Sequence, residues 1–481
     1  IKGSCKGCKL KSSCKYNDFA SVMYKLPGLD FQVTNHNMYL MSQKTRSEDH
    51  PPLLRESCFV VVDEAHKFKE AAEDTFGENI SEKDVEKYCS AVKDMCSKAC
   101  NKKLYNELLA TVCAENAGLF RSLRKTLQNQ DSDDDRGSII KLNNYQTARI
   151  NRITSLVERI EELKQKTNYG VPVTGKSLLS ALREMKNRTG SIIWLNVDEN
   201  KTLCLCRTPN NVNNILRDKV WNRNVSHVLT SGTMSDGTDF GYFKMQNGLD
   251  RIAKHLLLES KTESPFDYQN HARLYTPKSM PTPDNNSEEY IKAVADECYK
   301  IIRATNGHTA ILFTSYKVLQ SVHDLLTDKL TDYDIICMNR GNRTAITDFK
   351  KSKNGILFAS GSMWEGVDCS GDALSSVIIV RLPFPMRTAI MEDKKGDCDG
   401  TFDFVNRYCI PNMLIKLRQG VGRLIRSETD TGVVSILDSR ANSPAYGAKV
   451  STALAKYPQI HTVSEITDFM NSVKKAEYFK K

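Results

Sequence analysis

The sequence predicts an α/β protein built on parallel sheet, and three observations carry that prediction. Short, wholly apolar runs end in polar turns, as in FVVVDEAH (59–66), AILFTSY (310–316) and GILFAS (355–360); runs with no polar alternation are buried on both faces. Helical segments alternate with them, the 288–304 segment standing just before AILFTSY, as βαβ architecture requires. The length of 481 residues exceeds one ordinary core, so two to four domains are expected.

In chain order, residues 1–32 are rich in Cys, Lys and Gly and show little periodicity. Phe59–Val62 reads as a strand buried on both faces. A long helical stretch of about 81–168 follows; Ser81 and Asp84 form a capping box, and Val85, Tyr88, Val92 and Met95 recur at helical spacing. The acidic loop QNQDSDDDRGS (128–138) interrupts it, and Ile150, Ile153, Leu156, Ile160 and Leu163 resume the period. The stretch therefore reads as an all-helical insertion. SIIWLNV (191–197) and KTLCLCR (201–207) read as a hairpin, and further strands are HVLTSGT (227–233), SSVIIVR (375–381) and GVVSILDSR (432–440). Residues 264–286 carry four prolines and no clear period, which marks a domain boundary.

Composition narrows the classes. No run of 18 or more apolar residues and no charged-then-apolar leader occurs, so no membrane span or secretion signal is expected. The net charge of +10 suits a polyanionic partner but also an ordinary basic protein. Fifteen cysteines, most of them single within apolar segments like Cys58 and Cys337, fit a reducing, cytoplasmic compartment better than a disulfide framework.

Two segments carry chemistry. FVVVDEAH delivers Asp63 and Glu64 to the carboxyl end of a strand, where α/β sheets bind ligands. Phosphoryl transfer to water needs one carboxylate for Mg²⁺ and another group to orient or deprotonate the water, and this pair supplies both; His66 links that site to a neighbouring element. In LIKLRQGVGRLIRS (414–427) a helix places Gln419, Arg423 and Arg426 on one face. Gly420 and Gly422 each weaken such a helix by about 1 kcal/mol relative to Ala, a cost understandable where the backbone approaches a ligand or a facing domain. Two arginines there suit a γ-phosphate whose charge is being redistributed. GSMWEGVDCSG (361–371) adds Glu365, Gly366 and Asp368 in a Gly-rich loop that either holds ribose hydroxyls or is a plain turn.

DEAH (63–66), TSGT (230–233), FTSY (313–316), GSMWEGVD (361–368) and QGVGRLIR (419–426) stand in the order of superfamily 2 helicase motifs. With NHNMYL (35–40) ahead of the DEAH box, the chain resembles the DinG/XPD branch. The resemblance implies two RecA-like motor domains with Mg²⁺ and ATP between them, Asp63 and Glu64 on the first and Arg423 and Arg426 reaching from the second. It implies a monomeric ATP-dependent helicase or translocase on single-stranded or forked DNA, moving 5′→3′, in repair or replication. Asn35, His36, Thr230, Ser315 and Tyr316 would then meet the nucleic acid, by phosphate hydrogen bonds and base stacking. The implied layout is an iron–sulfur segment at 1–32, motor domain 1 at 33–76 and 191–275, an Arch-type insertion at 77–190, and motor domain 2 at 276–481. Cys5, Cys8 and Cys14 match three of that branch's four [4Fe–4S] ligands, with zinc as the physical rival. A DEAH-type RNA helicase and a non-catalytic nucleic-acid-binding relative are the competing readings.

GVPVTGKS (170–177) fits a P-loop letter for letter, through Gly170, Gly175, Lys176 and Ser177. A phosphate cradle needs a strand ending in a turn whose N–H groups converge at a helix N-terminus. The preceding EELKQKTNY is helical and charged, and Pro172 has no N–H to give. The match is expected to be a decoy, the working P-loop lying upstream of Ile1, in a motor that is incomplete as printed.

Overall fold

Phe59–Val62 forms strand β1, as its β-branched valines favour. In chain order there follow β2 (Glu78–Ser81), β3 (Ser138–Ile139), β4 (Ser191–Val197), β5 (Leu203–Pro209), β6 (Ser226–Leu229), β7 (Ala272–Tyr275), β8 (Thr309–Phe313), β9 (Ile335–Cys337), β10 (Ile356–Ser360), β11 (Ser376–Ile379), β12 (Gly432–Ile436) and β13 (Gln459–Ile460). They belong to a computed structural model that describes residues 14–15, 30–46, 54, 57–96, 101–128, 138–166, 173–186, 189–197, 201–338, 344–360, 369 and 371–480. The chain divides into two units, 1–56 and 57–481. The described part of the first holds the helix His36–Thr45, capped by Asn35, whose Oδ1 accepts from the Met38 N–H at 2.8 Å.

Within the second unit the largest sheet has seven parallel strands in the order β13-β7-β12-β11-β8-β10-β9. Successive residues of β8 face opposite cores. Ala310 and Leu312 pack with Met413, Leu417 and Val421 of the helix Ile410–Val421, whereas Ile311 and Phe313 pack with Val294 and Ile301 of the helix Glu288–Ala304. Helices on both faces explain why these strands read as continuous apolar runs. The proline-rich stretch 264–286 is not featureless: it contributes β7 to this sheet. Four residues separate Asp267, which caps a helical turn at Tyr268–His271, from the strand's start, so no periodicity had room to appear.

Gly432 opens β12 where the sheet is tightest. A Cβ there would lie 2.2 Å from the Ser375 carbonyl oxygen and 2.8 Å from Leu424 Cδ1. Gly432→Ala is expected to cost about 1–3 kcal/mol, read as a lower denaturant midpoint at unchanged m-value.

β1 pairs in parallel with β6 in a two-stranded sheet among the described residues. Here the expectation of a strand buried on both faces fails: Phe59 is 54% and Val61 59% exposed, while Val62 is buried. Its inward face packs and its outward face is open, so the apolar run over-reports burial.

The insertion is not all helical. Helices Glu82–Met95, Lys102–Gln128, Asn144–Lys166 and Val173–Lys186 pack on a four-stranded antiparallel sheet, β2-β5-β4-β3. The hairpin 191–209 thus joins the helical insertion. Sequence signals within the helices hold. Ser81 Oγ accepts from the Asp84 N–H at 3.2 Å and the Asp84 carboxylate accepts from the Ser81 N–H at 3.0 Å, completing the capping box. Deep in this core Lys164 meets Glu161 at 3.0 Å, and the Tyr88 hydroxyl donates to the same carboxylate at 2.7 Å, so the buried charge is paired and hydrogen-bonded as burial demands.

Candidate functional site

The carboxyl ends of β1 and β6 lie side by side and are laced together. Thr230 N–H donates to the Val62 carbonyl at 2.9 Å, and Ala65 N–H to the Thr230 carbonyl at 3.0 Å. The DEAH turn is thereby fixed against TSGT. Asp63 Oδ1 accepts from the Glu64 N–H at 2.9 Å, and both carboxylates are exposed at the strand end. Glu64 has φ 47° and ψ 45°, the left-handed region. For a residue other than glycine this costs about 1–3 kcal/mol, a strain that gathers at functional positions. No local pattern in the sequence signals it.

His66 does link the DEAH turn to a neighbour. Its Nδ1 lies 2.8 Å from Ser231 Oγ and 3.2 Å from a Glu64 carboxylate oxygen. Ser231 Oγ also accepts from the Thr233 N–H at 3.2 Å. Thr233 Oγ1 in turn accepts from Gln419 Nε2 at 3.2 Å. A hydrogen-bonded chain, one link of it the Thr233 backbone N–H, therefore runs from Glu64 through His66, Ser231 and Thr233 to Gln419, from the β1–β6 lobe to the seven-stranded lobe. Next to it Arg418 donates to the Ser235 carbonyl at 2.6 Å. Burial pushes the Arg418 pKa below its usual value, which marks how dry this seam is. A cavity of about 80 Å³ opens beside it, lined among others by His66, Lys67, Thr233, Tyr242 and Gln419.

Arg423 and Arg426 are not on the helical face that their spacing suggested. The helix ends at Val421 with Gly422 as its C-cap, and tighter bonds, Arg423 N–H to Gly420 and Leu424 N–H to Val421, close the turn. Asp430 then takes over, its carboxylate accepting the Arg426 and Ser427 N–H groups, each at 2.8 Å. Burial opposes the Asp430 charge, but those N–H groups and that of Gly371 hold its carboxyl below the usual range. The two arginines thus sit on a pinned turn that leads away from Gln419. Leu424 and Ile425, both buried in the sheet's core, anchor the turn between them.

The remaining candidates fall out differently. Ser315 caps the helix Tyr316–Thr327, and Tyr316, at its first position, is 53% exposed. Thr230 is exposed with its backbone committed to the ladder. Asn35 and His36 lie in the first unit, Asn35 as a helix cap. Cys14 is half-buried; Cys5 and Cys8 lie outside the described residues, as do Glu365, Gly366 and Asp368. Of GVPVTGKS, residues 170–172 lie outside the described residues, and the last five, Val173 to Ser177, open the helix Val173–Lys186. Among the described residues no cluster of three metal-ligating side chains occurs and no helix is long and apolar enough to cross a membrane.

A family model described as a helicase C-terminal domain matches residues 298–457, the heart of the seven-stranded lobe. The ATP-dependent DNA helicase YoaA of Haemophilus influenzae is 26% identical, over 98% of this chain and 73% of its own length. The 3′-5′ exonuclease DinG of Bacillus subtilis is 25% identical, over 91% of this chain and 52% of its own. The chain is DinG/XPD-like. Its fold agrees: the solved structure of S. tokodaii Xpd4 superposes with a TM-score of 0.52 at 17% identity, over 87% of this chain and 80% of that one. The parallel sheet of this DinG/XPD-like chain is accordingly of the kind found in XPD helicase domains.

Proposed function

We propose that the protein is an ATP-dependent DNA helicase or translocase whose hydrolytic site spans the two lobes. The observation that carries this reading is the hydrogen-bonded chain from Glu64 through His66, Ser231 and Thr233 to Gln419, since it joins a strand-end carboxylate pair on one lobe to the helix of the other that leads into the arginine turn. The names of the YoaA and DinG relatives favour DNA over RNA as the track.

The residues present fit Mg²⁺ and ATP. Asp63 offers an exposed strand-end carboxylate, and its neighbour Glu64 is held in a strained conformation beside it. When bound, Mg²⁺-ATP supplies the terminal phosphoryl group and the metal that neutralises its charge. Asp63 holds the metal, and Glu64 orients a water and accepts its proton. Gln419 and the pinned Arg423 and Arg426 stabilise the charge that develops. His66 and Thr233 report the state of that site to the seam. Glu365, Gly366 and Asp368 complete the nucleotide side; Asn35, His36, Thr230, Ser315 and the exposed Tyr316 meet single-stranded DNA. Cys5, Cys8 and Cys14 hold a [4Fe–4S] cluster, the sheet-backed helical insertion serves as an Arch, and the protein acts as a cytoplasmic monomer moving 5′→3′. GVPVTGKS takes no part.

The test is ATP hydrolysis by the full-length protein with and without single-stranded DNA. Turnover stimulated by DNA and unaffected by Lys176→Ala supports the reading. Turnover absent in both conditions defeats the motor, and turnover lost with Lys176 would put the phosphates in the insertion.

A further inference from the structure

The loop that follows TSGT does more at the seam than receive the bond from Gln419. From Thr233 to Gly237 every second residue touches the seven-stranded lobe. Thr233 Oγ1 accepts from Gln419 Nε2 at 3.2 Å. The Ser235 carbonyl accepts from Arg418 Nη1 at 2.6 Å. Gly237 lies against the helix Gly447–Ala453, so closely that a Cβ on it would stand 3.0 Å from Ala453 Cα and 3.3 Å from Ala453 Cβ. The next helix, Gly241–Asn247, continues the strip: its buried Gln246 accepts from Lys394 Nζ, on the helix Ala389–Gly396, at 3.1 Å.

The loop is stiff enough to act as a strut. Ser235 is buried, and its Oγ accepts from the Gly237 N–H at 3.1 Å. Asp236 Oδ1 accepts from the Thr238 N–H at 3.0 Å and from the Thr238 hydroxyl at 2.7 Å. Such local bonds from side chain to backbone fix a turn. Gly237 has φ 117°, so both its backbone angle and its approach to Ala453 require glycine. On the facing side Arg418 and Gln419 are adjacent on the helix Ile410–Val421, which leads into the turn that carries Arg423 and Arg426. A hydrogen bond from a guanidinium is among the stronger kinds, and Asp236, on the loop itself, favours the Arg418 charge against burial.

We propose that residues 233–237 are an inter-lobe clasp and that Arg418 is its positioning residue, which sets the separation between Asp63 and Glu64 on one lobe and the arginine turn on the other. A single bond at Thr233 would let the lobes pivot about it. The further grips at Ser235 and Gly237, on two different helices of the facing lobe, remove that freedom. The consequence for turnover rests on the motor reading above, whereas the register of the lobes does not. Under that reading Arg418→Met lowers kcat about 10²-fold, the cost that a misplacement of about 1 Å can carry, at little-changed KM.

The experiment measures the distance distribution between two spin labels in the nucleotide-free protein by pulsed electron paramagnetic resonance. The labels sit on unnatural amino acids, because the chain has 15 cysteines, at the exposed Asn224 of one lobe and the exposed Lys292 of the other. The wild type is expected to give one narrow distribution. Arg418→Met, which keeps an apolar stem and loses the donor, should broaden it, and Arg418→Lys, which keeps a cationic donor, should restore most of the narrowness. Gly237→Ala attacks the clasp from the other lobe and should broaden the distribution in the same way. The double variant Arg418→Met with Gly237→Ala should be no broader than either single one, since both release one device. A wild-type distribution in Arg418→Met, or additive broadening in the double variant, would overturn the proposal. Should Arg418→Met fail to fold, Gly237→Ala decides alone, and a wild-type distribution there overturns it. No ATP is added, so a protein without ATPase activity still answers the question. Conversely, an active wild type whose lobes ignore Arg418→Met sinks the clasp and leaves the motor standing.

Discussion

Glu64→Gln is expected to lower ATP turnover by about 10²- to 10⁴-fold, the usual worth of a positioned general base, while leaving nucleotide binding intact. The substitution keeps the size and shape of the side chain. It keeps the backbone too, since the left-handed conformation at this residue is set by the Ala65-to-Thr230 bond and by the Asp63 carboxylate on the Glu64 N–H. Only the ability to accept a proton from water is lost. In kinetic language kcat should fall with little change in KM. A variant with near-wild-type kcat would remove Glu64 from the chemistry and leave its backbone strain without a function.

Arg423→Ala is expected to cost more, about 10³- to 10⁵-fold in kcat, in the range of an arginine finger. The argument is positional. Gln419 is tied to Thr233 across the seam, the helix stops at Val421, and the Asp430 carboxylate pins the Arg426 and Ser427 N–H groups. The turn is rigid before any ligand arrives, so its charge is preorganised. Arg423→Lys should recover little, because a point charge does not replace a planar fork. Stability should hardly move, since Leu424 and Ile425 rather than Arg423 anchor the turn in the core. A stopped assay that shows equal losses of folding and turnover would contradict this division of labour.

The elements that the sequence displayed were those with local signals. β1, β6, β8 and β10–β12 announced themselves as apolar runs with polar ends, and the Ser81–Asp84 box and the helix Glu288–Ala304 as caps and periodicity. What stayed hidden depends on partners distant in the chain. The exposed face of β1 could not be read from four apolar letters. The turn at Arg423 looked helical because spacing by three and four is helical spacing; its end is enforced by Asp430, whose role appears only once the Arg426 and Ser427 N–H groups are seen to point at it. The antiparallel sheet beneath the insertion needs β2 to pair with β5, more than a hundred residues on. Arg418 lies one residue before QGVGRLIR, and only the meeting of the lobes gives it work. GVPVTGKS is a complete local pattern whose described part, Val173 to Ser177, is helical.

The central claim is that nucleotide sits between the lobes, with carboxylates from one and arginines from the other. A crystal structure of the full-length protein with Mg²⁺ and a non-hydrolysable ATP analogue tests it most directly. The predicted result is a terminal phosphate flanked by Asp63 and Glu64 on one side and by Arg423 and Arg426 on the other, with Gln419 still bonded to Thr233. Nucleotide bound at Lys176, or bound with both arginines turned away from it, would contradict the claim.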